Sequence, residues 1–406
     1  MLSFEDARNL VLAHTPTLGT ERIALFDAGG RVLAEDIHAL WDLPPWDNSA
    51  MDGYAVRAVD CAPGRALPVS AYLPAGATPG ATLAPGAAIK IMTGAPLPAG
   101  ADTIVPFEEL REGENEIWLR SAPKPGAHVR CRGEDLARGA LAIAAGTLLR
   151  PAEIGLLATF GKVLIPVFRR ARVAILATGD ELVEPGEPLA HGRIINSNAA
   201  ALAAALREIG AEPLLLGIAR DNEESHRRLI TEGLRADALI TSAGISTGDR
   251  DLVRETLLEL GATEIFWKID IKPGRPTAFF RAGATPVFCL PGNPVATLIT
   301  FEELAKPALL KMMGLHRVIA PFIKGTLLEE VRKKPGRGQF LRVALEIRAG
   351  RILVRTSGDQ NTGILRTLVG ASGLVYLPAD AAHLPVGSEV DVHVLGQLRE
   401  SPPEAP

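Results

Sequence analysis

Carboxylates beside glycine occur in several loops of this chain, and the first of these loops is the most informative. Residues 46–56 read Trp-Asp-Asn-Ser-Ala-Met-Asp-Gly-Tyr-Ala-Val, which places Asp52 directly before Gly53. Glycine lets a backbone approach a ligand or a metal closely, and binding residues are concentrated in loops. An Asx-type turn, in which Asp47, Asn48 or Asp52 caps only the local backbone, gives the same sequence, so both interpretations stay open.

A second group of acids follows the first strand of a region in which strands and helices alternate. The loop reads Thr178-Gly179-Asp180-Glu181, and ligands of open α/β sheets bind beyond the carboxyl ends of the strands. The glycine permits close approach, and the two acids could hold a metal or a hydroxyl group. A turn with two solvated acids is the alternative. Asp221 follows the next strand, where it is also a good N-cap for the following helix.

The loop after the third strand satisfies two patterns at once. Gly244-Ile245-Ser246-Thr247-Gly248 matches the GxSxG nucleophile elbow, which would make Ser246 the nucleophile of a hydrolase. The same small residues could wrap a phosphate with backbone N–H groups, while Asp249 or Asp251 holds a divalent cation. An elbow needs a helix directly after the serine, and here a charged Asp-Arg-Asp run comes first. The sequence therefore favours the phosphate cradle.

Positive charge is concentrated further along the chain. Trp267–Lys272 alternates apolar and charged residues, so we expect a strand with Lys268, Asp270 and Lys272 on one face. Arg275 follows in a constrained Pro-Gly-Arg-Pro turn. A solvated strand face is the ordinary interpretation. Three cations so close together in a mildly acidic protein favour a site for a dianion such as phosphate or an oxometalate.

Some polar positions have generic explanations beside functional ones. Leu290-Pro291-Gly292-Asn293-Pro294 joins a predicted strand to a helix. Asn293 is a natural N-cap there, and the free N–H groups of the first helical turn could bind a phosphate. Arg342 lies on the polar face of a predicted C-terminal hairpin, and the polar loop 357–363 follows it. Neither of these two features alone indicates a function.

Composition describes a soluble globular protein of two to four domains. The chain has 406 residues, of which 47% are hydrophobic and 22% charged, and a formal net charge of −4. That charge gives no general attraction to nucleic acid or to an anionic membrane. We expect no secretory signal and no membrane span, and therefore a cytoplasmic location. The scattered cysteines argue against a disulfide framework or a zinc site. The absence of Walker A and GxGxxG loops argues against nucleotide hydrolysis or dinucleotide binding.

Hydrophobic periodicity and turn residues predict the elements that position these loops. Short strands between glycines and prolines over 60–138 suggest a small all-β unit, with helices predicted on either side of it at 3–13 and 152–160. Alternating strands and helices from residue 171 indicate a mostly parallel sheet. The predicted strands are 172–178, 213–218, 238–241 and 287–290, and the predicted helices are 199–209, 223–234, 252–260 and 295–312. From about residue 320 the pattern is again β, with a hairpin about Ala349-Gly350 within a small C-terminal β domain. The predicted class is thus a multidomain α/β plus β fold.

Seven motifs occur in the order found in the MoeA-type molybdopterin molybdenumtransferases, which the chain resembles from about residue 3 to residue 395. They are 47–56, 92–95, 132–135, 178–182, 242–251, 268–276 and 290–294. The chain is also similar to the E domain of gephyrin and to its plant counterpart. Seven ordered motifs are far more specific than any one of them.

The resemblance implies a four-part fold and a dimer. The implied regions are an elongated dimerisation domain of 1–42 with 139–168, a β-rich domain of 43–138, a MogA-like molybdopterin-binding α/β domain of 169–318, a C-terminal β-barrel-like domain of 319–398 and a disordered tail of 399–406. The active site of the homodimer would lie between the α/β and C-terminal domains of one chain and the β-rich domain of the other. The implied reaction takes adenylylated molybdopterin and molybdate, requires Mg²⁺, and yields molybdenum cofactor and AMP.

The resemblance also implies roles for single residues. Those that would reach into the partner's cleft are Asp52, Thr93 and Asp135. Those that resemble the acids around metal and adenylylated substrate are Glu181, Asp221 and Asp251. Those that resemble the cationic wall are Lys268, Lys272 and Arg275. Those on the oxometalate side are Arg342 and Thr362, where serine is the expected residue at 362. The substrate-binding loops would contribute Thr178, Gly179, Asp180, Gly244, Ser246, Gly248, Pro291 and Asn293.

Other functions compete with this one. The α/β domain alone resembles the MogA-type adenylyltransferase, but the additional β domains and the 47–56 motif argue against that activity. A hydrolase built on Ser246 is a second alternative. A scaffold of the gephyrin kind is a third, and the chain lacks the long linker and fused adenylyltransferase domain of such scaffolds. Expected partners are small-molecule substrates, a second copy of the chain, and a MogA-type adenylyltransferase or molybdoenzyme maturation factors. Molybdate and tungstate fit the implied site equally, because they are nearly the same in size and charge.

Overall fold

In the computed structural model, which describes residues 1–76, 80–244 and 252–396, the first part of the chain consists of short strands and two helices. The helices are α1 (Phe4–Ala13) and α2 (Pro151–Thr159). The strands are β1 (Thr20–Ala24), β2 (Ile37–His38), β3 (Asn48–Ser49), β4 (Gly53–Val56), β5 (Ala66–Leu73), β6 (Ala88–Ile91), β7 (Thr103–Pro106), β8 (Leu110–Glu112), β9 (Glu116–Leu119), β10 (Val129–Arg130), β11 (Leu141–Ile143) and β12 (Leu164–Phe168). Both predicted helices are confirmed.

The β-rich part is a six-stranded sheet in the order β7-β4-β6-β5-β9-β8, and β1–β12, β2–β11 and β3–β10 form separate pairs. The predicted all-β unit is therefore confirmed. Strand β4 runs between β7 and β6 and begins with Gly53. A Cβ atom on Gly53 would lie 2.1 Å from the Val105 carbonyl oxygen, so only glycine fits there. The close approach of Gly53 to Val105 therefore fixes the position of Asp52, which directly precedes β4.

The α/β domain follows, with a six-stranded sheet in the order β16-β13-β17-β21-β20-β18. Its strands are β13 (Arg172–Thr178), β14 (Leu182–Val183), β15 (Ile194–Ile195), β16 (Glu212–Ala219), β17 (Ala238–Ser242), β18 (Thr263–Trp267), β19 (Ile271–Lys272), β20 (Ala278–Ala282) and β21 (Thr285–Leu290). Its helices are α3 (Ser197–Glu208), α4 (Glu223–Gly233), α5 (Leu252–Glu259), α6 (Pro294–Thr300), a π-helical turn (Phe301–Ala305) and α7 (Lys306–Met312). The first four strands of the sheet are parallel, so their carboxyl ends meet at one edge.

Two predictions about this domain need correction. The continuous strand predicted over Trp267–Lys272 is wrong, because β18 ends at Trp267 and Lys268 has a φ of 68°. The N–H groups of Lys268 and Ile269 bond to carbonyls of the following turn, which diverts the chain. The helix predicted over 295–312 is present, but the π-helical turn interrupts it.

The C-terminal domain is a small barrel. Its elements are β22 (Ile323–Leu327), β23 (Val331–Arg332), β24 (Gly338–Arg348), β25 (Arg351–Thr356), α8 (Arg366–Val369), β26 (Gly373–Leu377), β27 (His383–Leu384) and β28 (Glu389–Val394). Pairing of β24 with both β25 and β26 closes a ring through β22 and β28. The predicted hairpin is confirmed, with positive φ values of 48° at Ala349 and 74° at Gly350 in its turn.

The barrel and the α/β domain share one hydrophobic core. Phe340 and Leu374 of the barrel and Phe4 of α1 belong to the same buried cluster as helices α3, α6 and α7. The Phe4 ring lies 5.0 Å from that of Phe340, edge to face. The short strand β19 of the α/β domain also pairs with β24 of the barrel. The barrel is therefore bound to the α/β domain through side chains and backbone.

An α/β domain and β-rich parts are both present, whereas the exact bounds predicted for the regions stay predictions. Across the described ranges, no helix combines the length and apolar character needed to cross a membrane.

One partly buried ion pair links the β1–β12 region to the α/β sheet. Arg169, which follows β12, donates from both terminal nitrogens to the two carboxylate oxygens of Asp237 at 2.8 and 2.6 Å. The same carboxylate accepts a bond from the Arg172 backbone N–H. Burial alone would raise the pKa of Asp237, but these hydrogen bonds outweigh it and lower the pKa below the ordinary 3.8.

We expect Asp237→Asn to lower the free energy of unfolding by about 1–2 kcal/mol at neutral pH, because one charge-assisted acceptor is lost. Since the folded pKa is lowered, this contribution is complete above pH 3.8 and is lost as the pH falls through the folded value. Urea titrations followed by circular dichroism at pH 7 and at about pH 3 measure the difference. Asp391→Asn is the control, since Asp391 pairs with Lys324 where both side chains are exposed. An equal loss in both variants would contradict the assignment.

Candidate active site

Two neighbouring clefts lie at the carboxyl edge of the parallel strands, and both are lined by Gly244. The acidic cleft, of about 620 Å³, is lined by Asp221, Asn222, Glu223, His226, Gly244 and Leu252. The cationic cleft, of about 530 Å³, contains most of the predicted anion-binding residues. Its charged and polar lining consists of Lys272, Arg275, Arg337, Asn293 and Thr362. An acidic cleft and a basic cleft therefore lie side by side and meet at Gly244.

Asp221, which lines the acidic cleft, is joined to Asp180 by reciprocal hydrogen bonds. The Asp180 N–H donates to Asp221 at 3.2 Å, and the Asp221 N–H donates to Asp180 at 3.3 Å. Asp221 is not the N-cap of α4. Asn222 takes that role by accepting from the Ser225 N–H, because its backbone is the extended residue before the first helical turn. Both carboxylates are thus exposed side by side beyond the ends of β13 and β16.

The loop between β13 and β14 is held by its glycine and by Arg220. A Cβ atom on Gly179 would lie 2.3 Å from a carboxylate oxygen of Glu181, so the acid folds back over the glycine. Arg220 donates to the carbonyl of Leu182 at 3.1 Å and to that of Asp180 at 3.4 Å. Asp180 and Glu181 therefore both belong to one turn at the end of β13, and the contacts of Gly179 and Arg220 hold that turn in place.

Close packing shapes the boundary between the clefts. A Cβ atom on Gly244 would lie 2.7 Å from the Thr178 hydroxyl, and Gly244 has a φ of 73°. Thr178 is buried at 2% exposure. Asn198 of α3 donates from its amide to Ser242 at 2.7 Å and to the Gly292 carbonyl at 2.8 Å. These contacts fasten the ends of β13, β17 and β21 together.

Several predicted residues lie outside the described ranges. They are Ser246, Gly248, Asp249 and Asp251. The structure therefore does not decide between the nucleophile elbow and the phosphate cradle that the sequence of this loop allows. Within the described ranges, no group of three or more histidine, cysteine, aspartate or glutamate side chains is arranged to hold a metal ion. The metal set of Glu181, Asp221 and Asp251 stays a prediction.

The cationic cleft is lined by Lys272, Arg275 and Arg337, and no acid lines it among the residues that the structure describes. The charge of Arg337, at the edge of the barrel, is partly neutralised, because its Nε lies 3.1 Å from a carboxylate oxygen of Asp270. Lys268 does not line this cleft. Its ammonium group lies 5.9 Å from the centre of the Trp267 ring, a consequence of the turn that replaces the expected strand.

Two polar groups meet across the cationic cleft. Asn293 caps α6 by accepting from the Val295 N–H, as expected, and its amide lies 3.4 Å from the Thr362 hydroxyl. Pro291 lines the same cleft. Because Thr362 belongs to the barrel and Asn293 to the α/β domain, the cleft is formed by both domains.

Arg342 lies beneath the loop of Thr362 and is fully buried. Its guanidinium donates to the carbonyls of Asp359 at 2.9 Å and Asn361 at 3.2 Å. Its Nε and Nη1 atoms are buried without a hydrogen-bond partner. Arg342 therefore supports the loop in this structure, and direct contact with an oxyanion stays a prediction.

Asp52 and Thr93 are joined in the β-rich part by two hydrogen bonds. One Asp52 oxygen accepts from the Thr93 hydroxyl at 2.6 Å and from the Thr93 N–H at 2.7 Å. These bonds lower the pKa of Asp52, the hydroxyl contributing more than the N–H. Asp135 lies in an exposed turn of the same part. None of these three residues is among those that line the two clefts of their own chain.

Some residues of the site were missed by the sequence reasoning. Arg337 replaces Lys268 as a cation of the cleft, and the only local signal near it is the turn-forming pair Pro335-Gly336. Asn198 follows directly on the helix-start signal Asn196-Ser197. Arg220 precedes Asp221 and gives no signal by itself, because only the fold brings it to the 178–182 loop.

Models of known families match consecutive parts of the chain. The MoeA N-terminal region (domain I and II) matches residues 2–161, a probable molybdopterin binding domain matches residues 174–311, and the MoeA C-terminal region (domain IV) matches residues 324–395. The chain belongs to the MoeA family. The predicted fold class, with its MogA-like α/β domain and C-terminal barrel, is confirmed by these matches and by the solved MoeA structures below.

Relatives of this MoeA-family chain match it over nearly its whole length. A molybdopterin molybdenumtransferase of Nostoc sp. is 37% identical over 96% of this chain and 93% of its own. That of Haemophilus influenzae is 34% identical over 98% of this chain and 100% of its own. A crystal structure of the molybdopterin biosynthesis MoeA protein from Pyrococcus horikoshii has a TM-score of 0.85 at 28% identity, covering 97% of this chain and 100% of that one.

We expect Thr93→Val to raise the pKa of Asp52 toward its ordinary value of 3.8, because the larger of its two hydrogen bonds is lost. Carbon-13 NMR of labelled aspartate carboxyl groups measures this pKa. Thr93→Ser keeps a hydroxyl and should leave the pKa lowered. A Thr93→Val protein with an unchanged Asp52 titration would show that the contact does not control the carboxylate.

Proposed function

We propose that this protein inserts molybdenum into molybdopterin. Its substrates are adenylylated molybdopterin and molybdate, and its products are molybdenum cofactor and AMP. The observation that carries the proposal is the junction of an acidic and a cationic cleft at Gly244. That division of charge matches the two substrates. The phosphoanhydride of adenylylated molybdopterin would lie at the acidic cleft with its metal ion, and molybdate would bind in the cationic cleft.

The cationic cleft suits a tetrahedral dianion. Lys272 and Arg275 are exposed in the cleft, and no described acid lines it to compete with the ligand. Arg337 adds a third positive group that Asp270 neutralises only in part. Cations that converge on one cavity offset the repulsion between molybdate and a nearby phosphate.

The acidic cleft suits Mg²⁺ bound together with phosphate. Magnesium is commonly held by one or two protein carboxylates, with substrate phosphates and water completing its oxygen ligands. Asp221 and Asp180 present adjacent, exposed carboxylates, which fit this donor set. Glu181 and Asp251 would be the further ligands. When bound, the ion polarises the phosphoanhydride.

The chain's own side chains bind and orient the substrates in this scheme. Thr362 offers a hydroxyl donor to the oxyanion, and Arg342 fixes its loop through two carbonyls. Gly244 lines both clefts and packs against the buried Thr178 hydroxyl, so it would be the closest approach of the chain's backbone to a ligand that reaches from one cleft to the other. Lys272 and Arg275 would hold the incoming molybdate beside the dithiolene.

We propose further that the working form is a homodimer. Asp52 and Thr93 form an exposed, hydrogen-bonded pair that lines neither cleft of its own chain. A second copy of the chain would bring this pair and Asp135 to the cleft, as in the arrangement that the resemblance implied. A cytoplasmic location and delivery of substrate by a MogA-type adenylyltransferase belong to the same proposal.

No specific observation favours the alternatives. An adenylyltransferase made of the α/β domain alone would need neither the N-terminal nor the C-terminal MoeA region, and this chain has both. A hydrolase would depend on Ser246, which lies outside the described residues.

The central test incubates the purified protein with adenylylated molybdopterin, Mg²⁺ and molybdate, and measures AMP and molybdenum-loaded pterin. We expect Asp221→Asn to release AMP at least tenfold more slowly, because one carboxylate ligand is removed while the chain's fold is retained. Asp391→Asn is the matched control on the barrel surface. Normal AMP release by Asp221→Asn would refute the metal assignment.

We expect Lys272→Met to raise the half-saturating molybdate concentration about tenfold or more, because one ammonium donor to the dianion is lost. The dependence of AMP release on adenylylated molybdopterin should change much less. Lys334→Met, at an exposed position that does not line the cleft, should behave as wild type. An unchanged molybdate dependence in Lys272→Met would refute the role of this side chain.

A further inference from the structure

His393 lies where the barrel meets the α/β domain, and both of its ring nitrogens contact carboxylates. Nδ1 is 2.6 Å from Glu303, and Nε2 is 3.3 Å from Glu302. His393 is 9% exposed and Glu303 is 5% exposed. A ring that faces an acid on each side is held as an imidazolium with two donors. The contact is therefore a buried ionic bridge between two domains.

The bridge depends on the π-helical turn, which contains both glutamates. Such turns are rare and frequently found at functional sites. Glu302 also accepts from Lys306 at 2.5 Å, so Lys306 and His393 together balance two carboxylates. Other charged groups that line the cavities beside His393 are Glu5, Arg8, Arg317, Glu389 and Asp391.

His393 is connected to the cationic cleft through the barrel sheet. It is paired in register with Leu374 of β26, which is paired in register with Arg342 of β24. Directly paired residues of antiparallel strands point to the same face, and neighbouring strands lie about 4.8 Å apart. The three side chains thus form one row on the face of the barrel that packs against the α/β domain, where Leu374 joins the shared core.

Arg342, at the other end of this row, supports the loop 357–363, which borders the cationic cleft. Arg342 donates to the carbonyls of Asp359 and Asn361. Thr362 follows, with its hydroxyl 3.4 Å from the amide of Asn293. A shift of the barrel at His393 would therefore be transmitted to the distance between Thr362 and the start of α6.

We propose that His393 is a positioning residue for the reaction. By bridging Glu302 and Glu303, it docks the barrel on the α/β domain and keeps the loop of Thr362 beside Asn293. The effect on catalysis rests on the proposed function, in which this loop receives the oxyanion. The docking itself does not.

The bridge should respond to pH. Burial alone would lower the pKa of His393, but its hydrogen bonds to Glu302 and Glu303 outweigh burial and raise the pKa from 6.5 to about 9. Because the folded pKa is raised, the stabilisation is complete below pH 6.5 and is lost as the pH rises through about 9. Docking should thus persist at neutral pH and weaken in alkaline solution.

The experiment compares wild type, His393→Gln and the double variant His393→Gln/Glu303→Gln in the full chain. AMP release is measured against molybdate and, separately, against adenylylated molybdopterin. Hydrogen–deuterium exchange of the peptide spanning 357–363 reports docking without any substrate. His383→Gln is the matched control, since His383 lies 2.6 Å from Glu330 but the pair is exposed and within the barrel.

We expect His393→Gln to raise the half-saturating molybdate concentration about tenfold if only about a tenth of the molecules stay docked. The half-saturating pterin concentration should stay within about twofold, and the 357–363 peptide should exchange faster. The double variant should recover most of the loss, because two amides can pair without leaving a buried charge. Wild type at pH above about 9 should show the same selective loss, and His383→Gln should match wild type.

Parallel loss for both substrates, or unchanged exchange of the 357–363 peptide, would overturn the proposal. If His393→Gln does not fold, the pH dependence of the wild-type protein tests the proposal instead. A half-saturating molybdate concentration that stays constant up to pH 10 would then overturn the proposal. If wild type releases no AMP, the proposed function fails, while the exchange measurements still support or overturn the docking role.

Discussion

The structure depends on how two charged side chains, on an otherwise apolar face of the barrel, are buried where the barrel meets the α/β domain. Removing charged groups from water is costly unless each one finds a partner. Arg342 and His393 lie on that face, and the fold supplies loop carbonyls for the arginine and glutamates for the histidine. Aromatic contacts between Phe4, Phe340 and Tyr376 add apolar burial at the same boundary. The cationic cleft exists only because this docking brings the barrel loop to the start of α6.

The parallel sheet supplies the second requirement, a common edge for loops that are distant in sequence. Strands β13, β16, β17 and β21 all end there, which is why Asp180 and Asp221 are in contact although 41 residues separate them. Gly244 and Gly292 allow these strand ends to approach within contact distance. Asn198 then ties β17 to β21. Charge is thereby divided between two adjacent clefts, one acidic and one basic.

Local sequence patterns predicted much of this arrangement. The alternation of strands and helices from residue 171 reflects burial on both faces of a parallel sheet, which is a strong and local signal. The cap at Asn293 and the turn at Ala349-Gly350 were likewise predictable from the sequence, because each depends on neighbouring residues only.

What could not be predicted depends on contacts between distant residues. The turn at Lys268 is stabilised by carbonyls of a later segment, and β19 pairs with a strand of another domain. Asn222 rather than Asp221 caps α4, because the fold places the extended residue before the first helical turn at Asn222. Arg342 reads as a polar hairpin position in sequence, yet the docked barrel buries it completely.

The pairing of β19 with β24 has a mechanical consequence. Lys272 is in register with Gln339 of the barrel, although its chain belongs to the α/β domain. Backbone hydrogen bonds resist stretching far more than a surface contact does, so a tilt of the barrel would carry the lysine along with it. The Lys272 ammonium group and the Thr362 hydroxyl would then move together as one rigid body. The start of α6 at Asn293 would stay in place, so the cleft would open or close between them.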